Sequence, residues 1–106
     1  MPFDGNEHTI QAVGILRYAR DQIAAGHWVQ GDYGNRQGSF CALGWVHQAT
    51  DGPGRETLAA VAALASAIPE RQHIGGPAQT LIDYNDSHTR RAVVRLFDRA
   101  IAKLER

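Results

Sequence analysis

The chain has 106 residues, 43% of them hydrophobic, with 11 lysines and arginines against 11 aspartates and glutamates. This composition is typical of globular proteins and argues against disorder, collagen-like repeats and coiled coil. With zero net charge, the protein has no overall electrostatic field that would attract nucleic acid or an anionic membrane, so electrostatic recognition must be local. At this length we expect a single domain, residues 1–106, with one hydrophobic core.

The cysteine content and the N-terminal segment bear on location. Cys41 is the only cysteine, which excludes an intramolecular disulfide and a multi-cysteine zinc site, and suits a reducing compartment. Residues 1–7 contain no basic region followed by an apolar run, and no segment approaches the roughly eighteen apolar residues of a membrane-spanning helix. We therefore expect a cytoplasmic protein without a membrane partner.

Apolar residues at helical spacing predict a first helix over residues 7–25. Asn6 is a suitable N-cap for this helix, and Gly26 a suitable C-terminal cap. Residues 27–40 change character, because aromatic and β-branched residues are followed by glycines that divide the segment with turns. This segment predicts a short β-hairpin or an ordered loop.

Residues 41–48 predict a short second helix, which the turn residues at 51–54 bring to an end. A third helix is predicted to end before Pro69, with little polar surface on any side. Its proposed core face consists of Leu58, Val61, Ala62, Ala65 and Ile68.

Pro77 suits the first position of a fourth helix that runs to about Tyr84. Asp86 or Ser87 can cap a fifth helix, which has apolar residues in the i, i+3, i+4, i+7 pattern. These apolar positions are Val94, Phe97, Ala100, Ile101 and Leu104. The fold class predicted is mainly α, a compact bundle of about five helices with a hairpin or ordered loop between the first two.

Cys41 is predicted to start the second helix, where free backbone amides and the helix dipole stabilise a thiolate. A nucleophilic cysteine also needs a base, and His47 lies about 120° around the helix, so its side chain diverges. The base would have to be His27, His73 or His88. The alternative is a structural cysteine that packs like a small hydrophobic residue.

Trp28 and Gln30 form a polar and aromatic group just before this cysteine. Together with Cys41 and Gly44 they are candidates for ligand binding, since an indole can stack on a ring and an amide can orient a carbonyl. The structural alternatives are a core anchor for Trp28, a solvated loop position for Gln30 and close helix packing at Gly44.

A third group lies at the junction before the last helix. Asn85 and Asp86 are candidates for ligand binding, and Asn85 could orient His88 as a base for Cys41 if the protein is an enzyme. The alternative is that Asp86 or Ser87 caps the last helix.

Basic residues recur every four positions along the last helix, at Arg91, Arg95, Arg99 and Lys103. This ridge could contact nucleic acid or an acidic partner, although a solvated face is the favoured interpretation. The five histidines show no paired ligand spacing and no phosphate-binding glycine loop occurs, so we expect no metal and no cofactor.

Three pieces of the sequence, in order, resemble a family of uncharacterised proteins from actinobacteria and their phages. They are Trp28-Val29-Gln30-Gly31, Cys41-Ala42-Leu43-Gly44 and Tyr84-Asn85-Asp86. The family typically shows W-x-Q-G, C-A-L-G-A and W-N-D, so this chain differs by Trp45 and Tyr84. The resemblance implies a shared fold and a shared centre, but no particular reaction. That centre is Trp28, Gln30, Cys41, Gly44, Asn85 and Asp86.

The favoured hypothesis is a cytoplasmic accessory or regulatory domain, in a phage-related setting, that binds a small ligand or a protein partner near Cys41. The first alternative is a thiol-dependent hydrolase or acyl transferase with Cys41 as nucleophile. The second is nucleic-acid binding through the basic last helix. Assembly into a homo-oligomer stays open.

Overall fold

The computed structural model describes residues 4–50 and 54–106, with side chains described from residue 9 onward. Most of the turn predicted at residues 51–54 lies outside the described part. Five α-helices and one short 3₁₀ helix occur in the described residues, so the mainly α bundle is confirmed. In chain order they are α1 (Asp4–Ala24), α2 (Ala42–Gln48), α3 (Arg55–Ser66), the 3₁₀ helix (Glu70–Gln72), α4 (Pro77–Ser87) and α5 (Arg90–Glu105).

The end of α1 follows the sequence prediction more closely than its beginning. The helix already includes Asn6, so the N-cap prediction for this residue is wrong. At the other end, Gly26 adopts a positive φ of 100° and its N–H donates to the Ile23 carbonyl at 3.0 Å. The His27 N–H donates to the Gln22 carbonyl at 3.1 Å. This pair of bonds is a Schellman cap, which confirms the role of Gly26.

The segment between α1 and α2 is an ordered loop, and the β-hairpin alternative is not supported. Phe40 makes a parallel bridge with Trp28 and an antiparallel bridge with Gly34. Both bridges are isolated. Trp28 and Gly34 each pair with Phe40, and no ladder extends from either bridge within this segment. Gly31 and Gly38 have positive φ values of 79° and 83° and supply the turns between these contacts.

The buried face of α3 is rotated from the face predicted. Leu58, placed in the core from its spacing, is 67% exposed, and Ala62 is also exposed. Leu58 falls just outside the buried arc of α3, which packs against α1, α2, α4 and α5. The buried residues from α3 onward to its following turn are Thr57, Ala60, Val61, Leu64, Ala65 and Ile68.

The junction between α4 and α5 differs from the sequence prediction. Because α4 continues to Ser87, both Asp86 and Ser87 lie within it, and neither caps the last helix. The N-cap of α5 is Thr89, whose Oγ1 accepts a hydrogen bond from the Ala92 N–H at 3.1 Å. The longer α4 carries Asn85 to the side of the loop and the start of α2.

All five helices contribute side chains to one hydrophobic core. The radius of gyration is 12.9 Å, close to the ~13 Å of a compact chain of about 100 residues. On α5 the predicted pattern holds, with Phe97, Ala100 and Ile101 buried and the other two positions half-buried. In the described ranges, no helix combines the length and the apolar character needed to cross a membrane.

Candidate functional site

Asn85 is the centre of a buried hydrogen-bond network, with a side chain that is 0% exposed. Its Oδ1 accepts from the Trp28 indole N–H at 2.6 Å and from the Ala42 N–H at 2.9 Å. Its Nδ2 donates to the Val29 carbonyl at 3.0 Å and to Asp86 Oδ1 at 3.2 Å. A side-chain amide has two donors and two acceptor sites, so this one is saturated. Asn85 therefore holds the loop and α2 on α4, and its amide has no free donor or acceptor for a ligand or a base.

Gln30 and Gly31 attach the loop to the C-terminal end of α4. The Nε2 of Gln30 donates to the Asn85 carbonyl at 3.1 Å and to the His88 carbonyl at 2.7 Å. The Gly31 N–H donates to Asp86 Oδ1 at 2.8 Å. The last carbonyls of a helix have no partner within the helix, so Gln30 satisfies groups that would otherwise need water. Its described role is to hold the loop on α4.

Cys41 is the N-cap of α2 and is only 4% exposed. Its Sγ accepts a hydrogen bond from the Gly44 N–H at 3.4 Å, as expected for a residue at a helix start. Burial nevertheless raises the pKa of the thiol, because desolvation outweighs the amides that lower it, and the charge of Asp86 raises it further. The thiolate stabilisation predicted from the helix dipole is therefore overcome by burial.

The described imidazoles are hydrogen-bonded away from the Cys41 thiol or are exposed. The His88 ring stacks on Tyr84 with 3.7 Å between ring centroids, and His27 is exposed. The candidate set of Cys41, His88 and Asn85 is thus not joined by direct hydrogen bonds. Within the described ranges, no group of three or more His, Cys, Asp or Glu side chains is arranged to hold a metal ion. The ring-nitrogen partners are the Tyr33 hydroxyl for His47, the Ile68 carbonyl for His73, and the Tyr84 carbonyl and Ser87 hydroxyl for His88.

Gly44 allows the loop to approach α2 closely. A Cβ at this position would lie 2.7 Å from the Tyr33 carbonyl oxygen and 2.9 Å from Phe40 Cβ. The same Tyr33 carbonyl accepts a hydrogen bond from the Cys41 N–H at 2.9 Å. A side chain on Gly44 would therefore push the loop away from the start of α2, which is the close-packing role considered from the sequence.

A small cavity of about 140 Å³ lies beside this network. It connects the buried Cys41 with two exposed carboxylates, Asp32 and Asp86. One oxygen of Asp86 is held by the network, whereas Asp32 makes no hydrogen bond or ion pair among the described residues. Asp32 is not among the site residues predicted from the sequence, although its position in a glycine-rich loop before the cysteine was an available signal. The lining residues are Gly31, Asp32, Tyr33, Cys41, Ile82 and Asp86.

Residues 8–103 match the model of a family of unknown function, DUF6197. The chain belongs to the DUF6197 family. The match includes the loop, α2 and the end of α4, so the whole network around Asn85 lies within the DUF6197 region. Membership in a family of uncharacterised proteins is thereby confirmed. No curated protein and no solved structure is significantly similar to the chain.

Trp45 and Tyr84 are packing residues in this DUF6197 chain, and neither is among the described residues that line the cavity. The Trp45 indole N–H donates to the His27 carbonyl at 2.5 Å, so its polar atom is satisfied although the side chain is buried. Its ring meets Phe40 edge to face, with 5.0 Å between centroids. The large indole, which extends from α2, is therefore accommodated against the loop.

The four basic residues of the ridge predicted on α5 do not line the cavity beside Cys41. Arg91, Arg95, Arg99 and Lys103 are all exposed. Lys103 Nζ donates to the carbonyl and to the hydroxyl of Ser66, each at 3.3 Å. The three arginines have no hydrogen bond or ion pair among the described residues.

Proposed function

We propose that this DUF6197 protein is a non-enzymatic binding domain that holds one positively charged side chain of a protein partner in the cavity beside Cys41. The observation that supports this is the placement of two exposed carboxylates, Asp32 and Asp86, at a cavity that reaches a buried thiol. Opposite charge at a partly enclosed site favours a cationic group and suppresses an anionic one.

The size of the cavity favours a side chain over a larger ligand. Its volume of about 140 Å³ corresponds to roughly four or five water molecules at about 30 Å³ each. A guanidinium or ammonium group with its last methylenes is of this size, whereas sites for larger small molecules usually have about 300–1,000 Å³. Tyr33 and Ile82 provide apolar surface for the aliphatic stem of such a side chain.

Binding without catalysis agrees with the state of the thiol. A nucleophilic cysteine requires a lowered pKa and a base within hydrogen-bonding reach. Cys41 has a raised pKa, and its described hydrogen bond is to a backbone amide. The thiol-dependent hydrolase or acyl transferase is therefore the weaker hypothesis.

The proposal includes the wider setting inferred from the sequence. An accessory or regulatory role requires recognition of a partner and no catalytic set, and a cytoplasmic location keeps a lone cysteine reduced. The phage-related setting is supported by the motif resemblance.

The test is an NMR titration of the ¹⁵N-labelled protein with Nα-acetylarginine N-methylamide, with the citrulline analogue as the uncharged probe of the same shape. We expect saturable amide shifts at Gly31 and Tyr33 with the arginine probe only. Asp32→Asn should weaken binding severalfold, because it removes one of the two carboxylates. Asp83→Asn is the matched control, since it makes the same charge change on α4 away from the cavity.

Equal shifts with the citrulline probe, or unchanged binding in Asp32→Asn, would contradict the proposal. Cys41→Ser separates binding from thiol chemistry. The binding proposal expects the arginine probe to bind this variant, whereas a thiol enzyme would lose its activity.

A further inference from the structure

We propose that a second site, the concavity between the end of α3 and α5, binds a small molecule that carries a phosphate group. This α3–α5 concavity has a volume of about 500 Å³, within the usual range for small-molecule sites. Its lining includes Ser66, Ala67, Pro69, His73, Arg99 and Lys103. The proposal is independent of the cavity beside Cys41.

The partial negative charge of the carbonyls at the end of α3 is compensated by hydrogen-bond donors. A helix C-terminus carries partial negative charge through its unpaired carbonyls and by itself would repel an anion. Here Lys103 Nζ binds the Ser66 carbonyl and hydroxyl, and His73 Nε2 is 2.9 Å from the Ile68 carbonyl. These contacts neutralise the helix end and hold the Lys103 ammonium at the edge of the concavity.

Arg99 supplies a guanidinium that is not otherwise engaged. On the α1 side of α5, Arg20 pairs with Asp98 at 2.9 Å and Arg17 pairs with Glu105. Arg99 makes no hydrogen bond or ion pair among the described residues. Its N–H donors are therefore available in a concave site.

Arg99 and Lys103 are spaced for one compact anion. They lie one helical turn apart, about 6 Å along the axis, so both can approach oxygens of the same phosphate. Glu70 also lines the concavity, so Arg99, Lys103 and Glu70 together leave one net positive charge, which favours a compound with one phosphate group over a polyanion. Ala67 and Pro69 offer apolar surface for the organic part of the molecule.

The geometry favours a small phosphate compound over a nucleic acid. Each four-residue step along α5 advances about 40° around the helix, so Arg91 and Lys103 lie about 120° apart. Of the four basic positions, only Arg99 and Lys103 line the concavity. A nucleic acid would need a continuous basic face, and the chain has zero net charge.

The test is binding of inorganic phosphate and of phenyl phosphate to the full chain, followed by NMR and by calorimetry, with phenol as the uncharged probe. We expect phenyl phosphate to bind more tightly than inorganic phosphate, with shifts at the Ser66, Arg99 and Lys103 amides, and phenol not to bind. Arg99→Ala should weaken phenyl phosphate binding roughly tenfold, because a charge-assisted hydrogen bond is lost. Arg91→Ala, with the same charge change on the same helix outside the concavity, should bind as the wild type does.

Three results would overturn the proposal. The first is absence of phenyl phosphate binding, and the second is equal loss in Arg91→Ala and Arg99→Ala. The third is tight binding of a single-stranded oligonucleotide that decreases with salt and with each of Arg91→Ala, Arg95→Ala and Arg99→Ala, which would assign the surface to nucleic acid.

Discussion

The indole N–H of Trp28 donates a 2.6 Å hydrogen bond to Oδ1 of Asn85, although 57 residues separate them in sequence. The same oxygen accepts from the Ala42 N–H at the start of α2. A single buried amide therefore joins the loop, α2 and α4. Trp28 and Asn85 therefore hold the loop, α2 and α4 in place relative to one another. The cavity beside this network is lined in part by other residues, such as Asp32.

Removal of the Asn85 amide leaves the Trp28 indole N–H and the Ala42 N–H without their described acceptor. A buried donor without a partner costs about 1–3 kcal/mol, so Asn85→Ala should lower the free energy of unfolding by about 3 kcal/mol or more. Urea denaturation measures this change. Gln79→Ala, on the exposed side of α4, is the control and should change stability by less than about 0.5 kcal/mol. A loss below about 1 kcal/mol in Asn85→Ala would contradict the central role of this amide.

Two glycines in helices should respond oppositely to the same substitution. Gly44→Ala should lower the free energy of unfolding by about 1–3 kcal/mol, because the new Cβ would lie 2.7 Å from the Tyr33 carbonyl oxygen. Gly14→Ala adds a Cβ with nothing within 4 Å inside α1 and should raise stability by about 0.5–1 kcal/mol. Thermal unfolding of both variants compares the signs. A stabilised Gly44→Ala would show that the loop and α2 are not closely packed.

The raised pKa of the Cys41 thiol predicts a dependence of stability on pH. Because the folded state favours the protonated thiol, this contribution is present below the usual pKa of 9.0 and is lost as pH rises through the raised value. Relative to Cys41→Ser, the wild type should therefore lose free energy of unfolding as pH increases above about 9. Urea denaturation of both proteins between pH 7 and pH 10 measures the difference. A relative gain of the wild type as pH rises from 7 toward 9 would mean a lowered pKa and would revive the nucleophile hypothesis.

Thr89 should be the cap that stabilises α5. Thr89→Ala removes the oxygen that accepts from the Ala92 N–H and should lower the free energy of unfolding by about 1 kcal/mol. Thr89→Ser keeps this oxygen and should retain most of the stability. Circular dichroism during urea denaturation compares the two variants. If both lost the same free energy, the threonine methyl and not the cap would be responsible.

Features that depend on neighbours within one or two helical turns could be predicted from the sequence. The apolar period of α5 placed Phe97 and Ile101 in the core. The positive φ of Gly26 follows from the same local rule, since glycine adopts this conformation at little cost at the end of a helix. Pro77 at the first turn of α4 is a third example.

The exposure of Leu58 and the role of Asp86 depend on contacts between distant segments, so the local pattern predicted them wrongly. Spacing alone placed Leu58 in the core, but in the packing of α3 against the four other α-helices this residue is exposed. Asp86 suited a cap by its chemistry, but α4 continued past it, and its carboxylate accepts from the Gly31 N–H, 55 residues earlier.

Cys41 shows the same division most clearly. Its sequence position at a helix start favours a thiolate, and the Gly44 amide does donate to the sulfur. Whether the pKa of the thiol falls or rises depends on how far the rest of the fold shields the thiol from water. This burial cannot be predicted from a local sequence pattern. Here the fold buries the thiol, raises its pKa and leaves a small acidic cavity beside it. The sequence thus singled out Cys41 and its position at a helix start, whereas packing between distant segments set the pKa of its thiol, because desolvation is a property of the assembled core.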